Sequence, residues 1–260
     1  MQPFVVSLGD PSGVGPEVTA RAWEARKAAN LPPFVAVGDA ASVRAVWNGP
    51  IVEIDDAARC PSVFSAALPV WHIEDSGPLI PGEPTTEGAH CALHSLELGV
   101  GVARSEQASA LITAPICKDQ LYRVGFTHAG QTEFIADRCG VSRTNAVMML
   151  AGPTLKVIPI TVHVPFRDVP DLLTIDLIVA RAQAAARGMM RSFGMENPRL
   201  WLAGLNPHAG ENGAIGTEEQ EILAPAVARL REEGLDVTGP HSPDAMFTPD
   251  ARGQYDAALC

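Results

Sequence analysis

Short apolar runs with strand character alternate with amphipathic helical stretches along almost the whole chain, joined by brief links rich in Gly, Pro and Asp. That alternation limits the fold more than any other feature. A helix between two strands carries the chain back across a sheet, so the strands pair in parallel and the class is α/β. Phe4–Leu8 reads as a buried strand, and Pro16-Glu17 opens a helix to about Ala29. Proline suits the first helical turn, and glutamate suits its positive dipole end. Phe34–Gly38 is the next strand, with Asp39 placed to cap a short helix. Residues 51–54 and 69–73 are further strands. The helix from about Thr86 to Gln107 turns Ala89, Ala92, Leu93, Leu96, Val100 and Ala103 to one face. Residues 108–113, 147–150, 155–162 and 200–203 continue the strand series. Thr174 caps a helix that ends between Gly188 and Phe193, and Thr217 opens another to about Glu233. The Gly-rich stretch Gly125–Gly130 is the expected boundary between a first α/β domain, 1–128, and a second, 129–260.

Composition narrows the class of partner. The net charge is −11 and there is no long basic run, which argues against nucleic acid and anionic membrane as partners. No apolar stretch approaches the ~18 residues of a membrane span. Five cysteines without C-x-x-C spacing fit free thiols in a reducing cytoplasm, and no secretory leader is evident.

Several strand ends carry residues with binding chemistry. Gly9-Asp10-Pro11-Ser12-Gly13-Val14-Gly15-Pro16-Glu17 joins a strand to a helix, but matches neither the dinucleotide fingerprint G-x-G-x-x-G nor a P-loop. It is either a tight turn that needs glycine or a ligand loop at a strand's carboxyl end. Thr113–Lys118 leaves another strand with Lys118, which can pair with an anion but more often reads as a solvated surface group, and with Cys117, which has no evident base partner to make it a nucleophile. Gly130-Gln131-Thr132-Glu133 starts a helix whose first N–H groups can receive a phosphate, with Thr132 as a candidate cap. His90 and His94 have zinc-compatible i,i+4 spacing, but lie off the apolar face of their helix among glutamates.

Two segments stand apart. Thr161-Val162-His163-Val164-Pro165-Phe166-Arg167-Asp168 and Gly204-Leu205-Asn206-Pro207-His208-Ala209-Gly210-Glu211 each place a histidine just beyond an apolar run. Each histidine is followed by Pro or Gly and an acidic residue. One such histidine is usually a hydrogen-bonded polar group. Two in matching settings make a candidate metal pair, which needs at least one more ligand.

On these segments, and on Gly216–Glu219 and Gly239-Pro240 with Asp244 and Phe247, the chain resembles the 4-hydroxythreonine-4-phosphate dehydrogenase family over nearly its whole length. The resemblance implies a fold like that of isocitrate and isopropylmalate dehydrogenases, with two α/β domains and a cleft between them. This is not a Rossmann fold, in keeping with the missing fingerprint. It implies NAD- or NADP-dependent oxidation of 4-phosphooxy-L-threonine to 2-amino-3-oxo-4-phosphooxybutanoate. That product loses CO₂ to give 3-amino-2-oxopropyl phosphate, on the route to pyridoxal phosphate. It further implies a cytoplasmic homodimer with a divalent metal at the subunit interface: zinc, with magnesium or cobalt as substitutes. By resemblance His163 and His208 are metal ligands, and Gln131 and Thr132 contact the phosphorylated amino-acid substrate. The family's third metal histidine falls beyond Cys260, so the chain reads as truncated at its C-terminus, with weak metal binding expected.

Gln131 departs from the family's usual Gly-His-Thr-Glu, because an amide cannot carry the charge of an imidazolium. Three other readings stay open on that evidence. They are a dehydrogenase for another diol or phosphorylated hydroxy acid, an inactive metal- or phosphate-binding protein, and a metal-dependent hydrolase, which lacks any further cluster with ligand spacing.

Overall fold

A computed structural model describes residues 2–260. They form two compact units, one ending at Cys139 and the other running Gly140–Cys260. The division falls later than the 128/129 boundary expected from the glycines. Phe134 explains the shift: it is buried with Leu121, Phe126 and Leu96 in a core of the first unit, and carries its helix with it.

The first unit runs β1 (Phe4–Ser7), α1 (Gly15–Ala25), β2 (Phe34–Gly38), α2 (Ala40–Val46), β3 (Ile51–Glu53), α3 (Cys60–Val63), β4 (Leu68–His72), α4 (Thr86–Arg104), β5 (Leu111–Thr113), α5 (Lys118–Arg123) and α6 (Gln131–Arg138). Its five strands lie in the order β3-β4-β2-β1-β5, all parallel. β1 and β2 are apolar runs because a parallel sheet is covered on both faces. Val5, Val35, Ala36 and Val37 are fully buried. Asp39 caps α2 as expected, accepting from Ala41 N–H at 2.8 Å. On α4, Ala89, Ala92, Leu96 and Val100 form the buried stripe that the spacing predicts. β5 starts later than predicted and pairs with β1 alone, at the sheet edge.

The second unit runs β6 (Leu150–Ala151), β7 (Lys156–Ile158), α7 (Val169–Leu172), α8 (Ile175–Phe193), β8 (Leu200–Ala203), α9 (Ala224–Glu232), β9 (Val237–His241), α10 (Pro243–Met246), α11 (Pro249–Arg252) and β10 (Ala257–Leu259). The strand order is β6-β7-β10-β8-β9, parallel except for β6. The two neighbouring strands expected at 147–150 and 155–162 form a shorter antiparallel pair, closed by Gly152 N–H to the Leu155 carbonyl. β7 ends at Ile158, although hydrogen bonding to the chain beside it continues across Pro159 through Ile160 N–H. α8 starts at the predicted Thr174 cap and ends at Gly194 in the left-handed conformation that glycine tolerates (φ +67°). One side of the sheet buries Ile158, Leu200, Leu202 and Leu259 against Ile178, Ala182, Val227 and Leu230 of α8 and α9.

The last strand is tied in by charge. The Arg199 guanidinium reaches both carboxylate oxygens of Asp256, at 3.2 and 3.0 Å, and the Arg199 N–H donates to the same carboxylate at 2.8 Å. These bonds set the register of β10 against β8. The Arg199 side chain, above all, holds the Asp256 carboxyl below its usual range. A lowered folded-state pKa stabilises the fold at neutral pH, and that contribution is lost as pH falls through the folded value, below the ordinary ~4. Asp256→Asn is therefore expected to cost about 1–2 kcal/mol at neutral pH. It should also flatten the acid limb of a stability-versus-pH curve measured by chemical denaturation.

Candidate functional site

Parallel pairing places the loops that leave the strands on one edge of each sheet. In the second unit that edge carries both singled-out histidines. His163 lies in the irregular stretch after β7, and His208 in the segment after β8. β10 separates the two strands, so its carboxyl end at Leu259 and Cys260 lies between them. Cys260 N–H bonds the Ile158 carbonyl at 2.9 Å, and Ile160 N–H bonds the Cys260 carbonyl at 2.6 Å.

Both histidines sit in left-handed backbone, which most residues with a Cβ avoid. His163 has φ +57°. His208 starts a run in which His208, Ala209, Gly210, Glu211 and Asn212 all have positive φ, from +44° to +75°. Four of those five carry side chains. Such strain persists only where the surroundings over-determine it.

Glu219 is what holds this turn. It is 4% exposed, and its carboxylate accepts from Asn206 N–H at 2.7 Å and from the Asn206 amide at 2.9 Å. Glu218 takes a further bond from the same amide at 2.7 Å. Backbone bonds at its own position, then the Asn206 amide, hold the Glu218 carboxyl below its usual range. Gly210 fits against Glu219 because it has no side chain, since a Cβ there would stand 2.6 Å from Oε2. The turn is therefore folded around a buried carboxylate that the next helix supplies.

On this turn His208 faces solvent, and its Nδ1 is 3.3 Å from the Asp244 carboxylate. The Ser242 hydroxyl donates to the same carboxylate and, with the His208 imidazole, holds Asp244 below the usual carboxylate range. A carboxylate on Nδ1 favours the tautomer that leaves Nε2 free as a ligand. Phe166, beside the His163 turn, is 89% exposed.

In the first unit, Gln131 and Thr132 occupy the first turn of α6. The cap is Gly130 and not Thr132, and no side chain caps this end. The first N–H groups of the helix are thus left without the usual side-chain acceptor. The Gln131 amide donates to the Ala114 carbonyl at 3.1 Å, while its Oε1 is buried without a hydrogen-bond partner.

His94 pairs with Glu74 at 2.8 Å, and His90 is exposed on the same helix, so the i,i+4 pair is a solvated face. Cys60 and Cys91 are buried, and burial pushes both thiols up to about 12.

One grouping had no sequence signal. Among the described residues, Asp39, His72 and Asp75 bring one ligand atom each within 4.8 Å of one another, close enough to share an ion. They meet because β2 and β4 are neighbours in the sheet, a pairing that local sequence does not encode. Their existing bonds point to a clasp. Asp39 accepts from Ala41 N–H, Ser76 N–H and the Ser76 hydroxyl, and His72 Nδ1 accepts from Ala40 N–H at 3.2 Å. His163 and His208 are not in this grouping.

The model of the family described as pyridoxal phosphate biosynthetic protein PdxA matches residues 30–260. A 4-hydroxythreonine-4-phosphate dehydrogenase from Zymomonas mobilis is 50% identical over 260 residues, covering all of this chain and 78% of the relative. One from Erythrobacter litoralis is 50% identical over 264 residues with the same coverage. The crystal structure of a 4-hydroxythreonine-4-phosphate dehydrogenase from Klebsiella pneumoniae superposes with a TM-score of 0.88 at 32% identity, covering 100% of this chain and 81% of that one. The α/β fold expected from the strand–helix alternation is thereby the one found, of the isocitrate and isopropylmalate dehydrogenase type. The chain belongs to the PdxA family.

Proposed function

We propose that this chain is a nicotinamide-dependent dehydrogenase that oxidises the secondary hydroxyl of 4-phosphooxy-L-threonine. The 3-oxo acid formed loses CO₂ to give 3-amino-2-oxopropyl phosphate for pyridoxal phosphate synthesis. The observation that carries this reading is the placement of His163 and His208 on loops flanking the carboxyl end of β10, in a chain half identical to dehydrogenases of that name.

The donor set fits a divalent ion. Two imidazoles on strained loops, one braced by a carboxylate, are a zinc-like arrangement that magnesium or cobalt also suits. A third ligand besides these two histidines is part of the proposal, as is assembly as a homodimer with the ion at the subunit interface. Five free cysteines support a reducing cytoplasm. When bound, the ion supplies positive charge that favours loss of the hydroxyl proton, and NAD or NADP supplies the two-electron acceptor.

The protein's own work is positional. Glu219 fixes the turn, the turn fixes His208, and the Asp244 carboxylate beside Nδ1 favours the tautomer that presents Nε2. In the first unit the uncapped start of α6 offers N–H groups to an anion, Gln131 offers its unpaired carbonyl oxygen, and Thr132 its hydroxyl.

Gln131 also favours a second reading, a dehydrogenase acting on another diol or phosphorylated hydroxy acid, because a neutral amide stands at a substrate position. Following reduced nicotinamide across a panel of such substrates separates the two. The first reading requires 4-phosphooxy-L-threonine to have the highest kcat/KM.

Four variants test the machinery. His163→Ala and His208→Ala should each abolish both metal retention, read by elemental analysis after dialysis, and turnover. Full activity in either overturns the ligand assignment. Asp244→Asn should weaken metal binding about 10- to 100-fold. Because Asp244 is exposed, its melting temperature should not change. Glu219→Ala leaves the Asn206 backbone N–H without its acceptor, so a loss of about 1–3 kcal/mol in denaturant unfolding is expected together with weaker metal binding.

A further inference from the structure

Four apolar residues in a row stand on the surface of the first unit, in the link between β4 and α4. They are Pro78, Leu79, Ile80 and Pro81, with Gly77 before them and Gly82 after. Leu79 is half-buried and the other five are exposed, Ile80 by 52%. An exposed apolar run of this kind is a liability unless it has a function.

The two ends of the run are held differently. Before it, Ser76 is 1% exposed, and its N–H and hydroxyl both donate to the Asp39 carboxylate, at 3.0 and 2.5 Å. Asp39 is itself buried and caps α2, so this end is fixed to the body of the unit. After the run, Gly82 N–H donates to the Ser12 carbonyl at 2.9 Å. Among the described residues, the one hydrogen bond made by 77–81 stays inside the link, from Glu83 N–H to the Ile80 carbonyl at 3.0 Å. The run is thus clasped at one end and latched at the other by a single bond.

Both flanking glycines are in left-handed backbone, Gly77 at φ +73° and Gly82 at φ +82°. Crowding is not the reason for glycine at either place. A Cβ at Gly82 would meet nothing within 4 Å, and one at Gly77 would meet Glu87 Cβ at 3.8 Å. What glycine supplies is backbone freedom, at both ends of an arm that Pro78 and Pro81 stiffen. Segments that absorb a closing motion are built in this way.

The latch joins the arm to the turn that leaves β1. Gly82 and Pro84 also edge an open depression of about 200 Å³, whose other walls include Asp10, Ser12, Gly13 and Ile116. It lies at the carboxyl ends of β1 and β5, the edge at which open α/β sheets bind ligands.

We propose that Gly77–Gly82 is a lid, which swings about its two glycines and closes its apolar run over ligand bound at this edge. The inference rests on the dehydrogenase reading and adds to it a closing step that shields the reacting groups from water. The motion leaves the Ser76 clasp in place and releases only the Gly82 bond. Closure covers Ile80, which gives the exposed run its use.

Hydrogen exchange of peptides covering 77–83, read by mass spectrometry, tests this directly. The ligands are NADH or NADPH together with 4-phosphooxy-L-threonine, a pair that cannot react, and calorimetry establishes that they bind. These amides should exchange freely in the unliganded protein and about tenfold more slowly in the complex. Ile80→Asp should lower kcat/KM about tenfold, the worth of one apolar side chain's cover. Its Tm should not change because the side chain is exposed, and Ile80→Leu should behave as wild type. Exchange that stays equally fast in the complex overturns the lid, as does unchanged kcat/KM in Ile80→Asp, and both results leave the dehydrogenase reading intact. Slow exchange already present without ligand overturns it too. Protein that binds neither cofactor and turns nothing over loses both.

Discussion

Parallel strand pairing is the constraint on which the rest of this molecule depends. It makes every crossover return to the same edge, so loops distant in sequence leave the sheet side by side. His163 and His208 are separated by α7, α8 and β8, yet both lie at the carboxyl edge of one sheet because β10 pairs with β7 on one side and β8 on the other. The same logic in the first unit brings the Gly9–Gly13 turn against Pro115. Each proposed binding feature is thus a by-product of sheet order.

Sheet order gives approximate placement, and buried polar groups refine it. The left-handed run from His208 to Asn212 would relax if it were alone in water. It is held by the Glu219 carboxylate, which needs the Asn206 donors as much as they need it. Burying that charge is tolerable because its hydrogen bonds are met. The reward is a histidine fixed in a conformation that an ordinary loop would not keep. Asp39 does comparable work in the first unit, where it caps α2 and also clasps Ser76.

Much of this was readable from the residues. Apolar runs found β1, β2 and β8, and the Thr174 and Asp39 caps and the stripe on α4 were visible because they rest on local spacing. The histidine segments were visible as motifs, and the Gly9 turn as a ligand loop or a tight turn. Long-range pairing was not readable. β6 and β7 came out shorter than their apolar content implied, with β6 pairing through Leu150 and Ala151 alone. Thr132 resembled a cap, but Gly130 takes that position. The Asp39–His72–Asp75 grouping and the Glu219 anchor depend on neighbours brought in by the fold, and their residues look ordinary in sequence.

The account stands or falls on metal-assisted alcohol oxidation. The most direct measurement is the formation of reduced nicotinamide from 4-phosphooxy-L-threonine with NAD⁺ or NADP⁺ and added zinc, with a chelator introduced during the time course. The account predicts steady formation that stops on chelation and resumes when excess zinc is restored. Formation that continues unchanged through chelation would contradict the metal role, and no formation with either cofactor would contradict the dehydrogenase itself.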